Sequence, residues 1–423
     1  MNQANKKKKL SIIKVIGLLF LAVGVIGAAL WIFNAQKQTG ESSPVKNIMA
    51  KVGSYPACPD DLEGILTAPL MEPKYIFSLT PLGNINPPGH TSPVDHIYFS
   101  TNYEGEIPLY APADAWITEI TALSTNDGTG KYTPNGYVLT YTVCDGLVLD
   151  FAEYTDLIPE LKAELAKQPE PECKYGIVKP GHNNAGEGQC YYRMNYPVTS
   201  GEQIGYVQAV ETDGRLSLPF EIWAANYNIP AREDVNWDYY NDNRYAHAFC
   251  LFDLYTGDLK EQFYQKFGGD NRSKKTEDNL PAFVPRTIEP LCGQVNQDLI
   301  GTIQGMWFGS SPVEKENIEF AGEGLAFLHN NIDPTYAEIS IGGNFTGQAG
   351  VLTFLPMHSG TIDREPGEVM ADGQIYCFNA DSSWNINGKI LVQLIDDHHL
   401  KVENQSGSCT ADETFITPFN FQR

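Results

Sequence analysis

Apolar residues are arranged along this chain in two ways. From Val15 to Phe33 they form one unbroken run of 19 residues without a charge, whereas beyond residue 55 they alternate with polar residues in short segments. As a helix the first run spans about 30 Å, the thickness of a bilayer core. The alternating segments predict half-buried β-strands. In a first block, residues 55–230, these are Ile97–Ser100, Ala115–Ala122, Gly136–Val143, Leu147–Tyr154, Gln203–Val210 and Pro219–Ala225, separated by turn formers such as Asn126-Asp127-Gly128. Leu161 and Leu165, four apart, predict one helix near Ile158–Lys167. Residues 168–196 read as a polar insertion closed by Cys173 and Cys190. Residues 231–297 read as a connector with a short helix near Leu259–Phe267 and an exposed charged loop at Asn271–Asn279. A second block, residues 298–423, has regularly spaced strand candidates from Thr302–Phe308 to Leu400–Glu403. Their spacing predicts a small antiparallel barrel or sandwich. The expected fold class is therefore mainly β, with an N-terminal transmembrane helix ahead of two β domains.

Charge sets the topology. Lys6–Lys9 make residues 1–14 a basic tail that stays cytoplasmic. Phe33-Asn34-Ala35 is a poor small-x-small cleavage site, so residues 15–33 are expected to persist as a single-pass anchor in a bacterial-type cytoplasmic membrane. Residues 34–54 are a polar linker, and the rest is extracytoplasmic. Net charge is −23 overall and −30 over the 372 residues beyond position 51, which excludes nucleic acid as a partner. All eight cysteines lie in that exported part, which predicts disulfides. Sequence alone leaves 105 pairings open for eight cysteines. Short loops favour Cys173–Cys190, Cys250–Cys292 and Cys377–Cys409, which leaves Cys58 with Cys144.

Several landmarks follow one another in the first block. His96 to Ser100 is followed by Ile107-Pro108-Leu109-Tyr110-Ala111-Pro112-Ala113-Asp114-Ala115-Trp116-Ile117. Then come Val198-Thr199-Ser200-Gly201-Glu202-Gln203-Ile204-Gly205-Tyr206-Val207 and Leu218-Pro219-Phe220-Glu221-Ile222. In order and spacing these resemble the lysostaphin-type (LytM-like) zinc metallopeptidases, which cut peptidoglycan cross-bridges, over roughly residues 75–230. The resemblance implies their β fold (the duplicated hybrid motif). It also implies a zinc held by a His, an Asp four residues on, and the second His of a His-x-His. Here His96 matches the first ligand, but Ser100 stands at the Asp and Pro219 at the last ligand. Ser217 replaces the other His of that pair, and Glu153 stands where a further catalytic His is expected. One ligand of three remains, whereas hydrolytic zinc needs about three and an open position. The resemblance thus implies a fold that has lost its active site: no catalytic residues, no metal and no cofactor.

The alternative is an active zinc-dependent peptidoglycan endopeptidase with non-standard groups. His90, Asp95 and His96 would be its metal ligands, and Glu153 and Glu221 its catalytic carboxylates. Gly89 and Pro93 beside the first three also suit a capped turn. His398 and His399, next to Asp396 and Asp397, read as a hairpin, because adjacent strand residues face opposite ways. The leading expectation is a non-enzymatic envelope protein that binds peptidoglycan or a protein partner. A further alternative is that the distal barrel binds a small apolar ligand.

Overall fold

The computed structural model describes residues 55–126, 129–177, 186–212, 215–235, 237, 243–275, 281–309, 324–343, 346–379 and 382–423. The anchor expected at 15–33, the basic tail and the linker lie outside them. No helix among the described residues is long and apolar enough to cross a membrane.

The first block is built from β1 (Ser78–Thr80), β2 (His96–Ser100), β3 (Glu106–Tyr110), β4 (Ala115–Asn126), β5 (Tyr132–Cys144), β6 (Leu147–Tyr154) and β7 (Asp156–Leu157). After helix α1 (Pro159–Leu165) come β8 (Glu172–Ile177), β9 (Glu187–Val198), β10 (Gln203–Gln208), β11 (Val210–Thr212), β12 (Arg215–Ser217) and β13 (Glu221–Asn226). Eight of these strands form one antiparallel sheet in the order β1-β2-β13-β6-β5-β4-β9-β8, and β3-β10-β7 form a small second sheet. Residues 168–196, read as a polar insertion, are mostly strand. Their hairpin extends the main sheet, with β9 pairing along the whole of β4 and Cys173 bonded to its cross-strand partner Cys190. The polar composition that suggested an insertion reflects the largely half-exposed side chains of β9.

Alternation determines which face packs. Ile97, Phe99, Ile117, Ile120, Leu139, Leu149, Phe151 and Ile222 all point to one side and are buried against Ile107, Leu109, Leu157, Ile204 and Val207 of the small sheet. Each fully buried side chain of this size contributes about 2 kcal/mol relative to exposure. Where β10 passes β7, a Cβ on Gly205 would lie 2.4 Å from the Asp156 carbonyl oxygen, so only glycine fits there.

The 231–297 segment, expected as a connector with one short helix, also packs into the core. It supplies α2 (Asn243–His247) and α3 (Gly257–Tyr264), and its Phe252, Tyr255, Phe263 and Phe267 are fully buried in the same core. The loop expected at 271–279 is also corrected: β14 (Gly268–Lys275) pairs with β15 (Pro281–Pro285), and residues 276–280 lie outside the described ones.

The second block holds β16 (Gly305–Gly309), β17 (Gly324–His329), β18 (Ala337–Ile341), β19 (Gly350–Phe354), β20 (Tyr376–Asn379), β21 (Ser382–Trp384), β22 (Lys389–Asp396), β23 (His399–Gln405) and β24 (Phe419–Gln422). All pairings are antiparallel, and β24 returns to β16. The bent segment β20–β21 pairs with β22 through its first half and with β19 through its second, so the sheet nearly closes into an eight-stave barrel. Trp307, Phe327, Ile339, Phe354, Phe378 and Val392 are among the side chains that fill it. Arg423 lies across one end, 4.3 Å above the Trp307 ring, and donates to the carbonyls of Thr302, Gln304 and Asp397. The outer face of β16 and β17, with Met306, Phe308, Ala326 and Leu328, joins the core of the first block. His398 and His399 lie in the β22–β23 hairpin, where His399 bonds Asp396.

Four disulfides close the molecule: Cys58–Cys144, Cys173–Cys190, Cys250–Cys292 and Cys377–Cys409. They are the pairs that loop length favoured, together with the one left by elimination.

Candidate functional site

The strand that buries Ile97 and Phe99 necessarily presents His96, Tyr98 and Ser100 on its other face. Its neighbour β13 does the same with Glu221 and Trp223. In register, Tyr98 stands opposite Glu221 and His96 opposite Trp223. Asp95, just ahead of β2, is 1% exposed, as is His96. The Asp95 Oδ1 lies 3.2 Å from His96 Nδ1, and His96 Nε2 lies 3.8 Å from Glu221 Oε2. The segment 86–90 folds back through paired backbone bonds between Asn86 and His90. It brings His90 Nε2 to 2.8 Å from the Tyr98 hydroxyl and its ring 5.5 Å from that of His96.

A cation from distant sequence completes the cluster. Arg244 of α2 places Nε 3.4 Å from Asp95 Oδ2 and an NH group 3.6 Å from Asp150 Oδ2, and its guanidinium lies 5.3 Å from the Trp223 ring. Burial would push the Asp95 carboxyl up, but Arg244 and the hydrogen bond from His96 more than offset it and hold it below its ordinary value.

Four of the five residues singled out from sequence, His90, Asp95, His96 and Glu221, thus converge. Glu153 stands at a bulge of β6 with φ +65°, one residue beyond Ala152, which pairs with Glu221. The converging groups are engaged with one another rather than directed at one point. The two nitrogens of His96 face different carboxylates, and His90 Nε2 is taken by Tyr98. Among the described residues no three His, Cys, Asp or Glu side chains are arranged to hold a metal ion. At the remaining positions of the resemblance, Ser100 Oγ accepts from Ser78 N at 3.1 Å, and Pro219 has no side-chain donor.

The cluster is one end of a longer feature. Direct cross-strand partners run from His96 to Trp223, Asp150, Thr140, Glu119 and Arg193, on β2, β13, β6, β5, β4 and β9 in turn. Directly opposed residues share a face, so this is one polar row, about 24 Å long at the usual strand spacing. Thr140 Oγ1 donates to Asp150 at 2.5 Å. Thr118, at the β4 bulge, bonds Thr142 at 3.3 Å, and both are buried. Burial, with Asp150 adding repulsion, pushes the Glu119 carboxyl up to about 6 despite the opposing pull of Arg193.

Sequence reading missed Asp150, Glu119, Trp223, Arg193 and Arg244. For Asp150 and Trp223 the signal was there: a polar or indole side chain in the outward frame of a strand whose neighbouring inward positions are apolar. Glu119 is turned to this face by the β4 bulge, which breaks the alternation. Arg244 left no signal, because its role depends on contacts with Asp95 and Asp150, 149 and 94 positions away. No protein-family model, no curated protein and no solved structure matches this chain.

Proposed function

We propose that this chain is a membrane-anchored, extracytoplasmic cell-envelope protein whose first β block is a lysostaphin-type domain without hydrolytic activity. It works by binding, to peptidoglycan or to an envelope protein partner. The anchor and topology rest on Lys6–Lys9 followed by the uncharged 15–33 run, and the exported body on its paired cysteines. The observation that carries the reading is Arg244. The cation that faces both Asp95 and Asp150 is a guanidinium belonging to the chain. A guanidinium offers no empty coordination position, so it cannot lower the pKa of a water or polarise a scissile carbonyl as zinc does. With Ser100 and Pro219 in place of ligands, the remaining donors orient one another and the face is left for recognition.

The test is to purify the full chain in detergent, measure its zinc content and incubate it with cross-linked peptidoglycan sacculi. The expected result is retention on sacculi, no release of fragments and no stoichiometric zinc. Cleavage abolished by a chelator, or one tightly held zinc per chain lost on His96→Ala, overturns the proposal.

A further inference from the structure

We infer that Cys173–Cys190 is a thiol–disulfide exchange site, at which an external dithiol attacks Cys173, Cys190 leaves, and the β8 edge is released while the rest of the body stays folded. The inference goes beyond the binding reading and does not depend on it.

Three observations lead to it. The first is access. Both cysteines of this pair are half-exposed, whereas each of the other three bridges has at least one buried cysteine: Cys144, Cys250, Cys292 and Cys377 are each 7% exposed or less. The attacking sulfur must approach in line with the S–S bond. β8 is an edge strand that pairs with β9, and among the described residues no strand lies beyond it, so the far side of Cys173 is open. Behind Cys190 stands β4, with Ala122 as its cross-strand partner. Access therefore directs the attack to Cys173. The second is the leaving group. Tyr175 lies diagonally across from Cys190, two residues from Cys173 on the same face, and its hydroxyl is 3.7 Å from the Cys190 sulfur. A disulfide sulfur has no proton, so the phenol donates. That contact stabilises the thiolate formed at Cys190 and speeds its departure. The arrangement is built into the hairpin: a Cβ on Gly188 would stand 2.8 Å from the Tyr175 ring and 3.0 Å from that of Tyr132, so glycine is what lets the two rings lie across β9. Tyr132 holds the turn beyond by accepting from Gly176 N at 3.0 Å. The third is the consequence of opening. Among the described residues no β8 side chain belongs to the apolar core, so release of this edge is a local event.

The electrons balance in two steps. One thiolate of the reductant bonds to the Cys173 sulfur, and Cys190 departs as a thiolate and takes up a proton. The second thiolate of the reductant then attacks its own sulfur in the mixed disulfide, and Cys173 departs and is protonated. The bridge is reduced to two thiols and the dithiol is oxidised to a disulfide.

The experiment uses the full chain in detergent at pH 7.5, without denaturant, and two probes: dithiothreitol and glutathione. Samples are quenched with N-ethylmaleimide and mapped by peptide mass. Dithiothreitol should open Cys173–Cys190 at least tenfold faster than any other bridge, and the protein so reduced should keep a cooperative unfolding transition. Glutathione should be caught on Cys173, with the maleimide on Cys190. Tyr175→Phe, which keeps the ring and removes the donor, should slow the opening at least threefold without lowering the unfolding temperature. Equal or faster opening of another bridge, glutathione on Cys190, an unchanged rate in Tyr175→Phe, or loss of the unfolding transition on selective reduction would each overturn the inference.

Discussion

Replacing Glu119 by Gln should make the protein more stable, and the gain should depend on pH. In the folded chain, burial and the neighbouring Asp150 move the Glu119 carboxyl from the usual 4.5 to about 6. The folded state therefore holds this proton more tightly than the unfolded state. Between pH 4.5 and 6 it binds more protons, so stability falls as pH rises through that window. Above it the whole penalty is present, about 2 kcal/mol for one and a half pH units. Gln keeps the shape and cannot ionise, so Glu119→Gln should gain about 2 kcal/mol at pH 7.5 and nothing at pH 4. Urea unfolding of both proteins at the two pH values, with disulfides intact, measures this. Equal stabilities at both values would refute the reasoning. A loss at pH 7.5 would do so more strongly, because it would mean that Arg193 holds the carboxylate in an ion pair that outweighs its burial.

Removing the guanidinium in Arg244→Met leaves Asp95 buried without its cation and should cost about 3 kcal/mol; adding Asp95→Asn should recover most of that, and a single-variant loss under 1 kcal/mol would contradict the pairing. His329, held by Glu365 at 3.0 Å, titrates above its ordinary value, so the pair adds stability below about pH 6.5 that is lost as pH rises through the folded-state value. Glu365→Gln should flatten that dependence, and an unchanged pH profile would exclude the pair as its source. Thiol counting on the denatured, unreduced protein should give zero. Changing Cys250 and Cys292 together to Ala, which opens a separation of 42 residues, should cost about 4 kcal/mol in the chain-entropy model, and loss of less than 1 kcal/mol would count against that estimate.

Much of the fold was legible because alternation survives wherever one strand face is wholly apolar. Leu147–Tyr154 is a strand over the span that its pattern marks, and Ala115–Ala122 is the first two-thirds of β4. The three short-loop disulfides were legible for a similarly local reason. What escaped was set by partners far away. β9 is half-exposed and polar and is a strand because β4 lies beside it. The aromatics of 252–267 are core because the first block leaves space for them. The bend that lets Tyr376–Trp384 pair on both sides closes the barrel, and no periodicity encodes a closure. At the site, His90, Asp95 and His96 were legible as close neighbours in sequence. The row from Trp223 to Arg193 exists only through register, and a slip of one residue in any strand would send its member to the other face. The β4 bulge between Ile117 and Glu119 keeps Ile117 and Ile120 in the core while Thr118 and Glu119 share the polar face.

That geometry also bears on whether the face binds or catalyses. Hydrolysis needs a group that activates water and a vacant place for that water to stand. Around His96 the polar atoms answer one another: Asp95 meets Nδ1, Glu221 faces Nε2, Arg244 balances the carboxylates, and Trp223 packs on the ring. These contacts hold the charged groups together, and the paired charges cost less than the same charges left apart. On β4, Glu119 stays at a free-energy cost that a neutral side chain would remove.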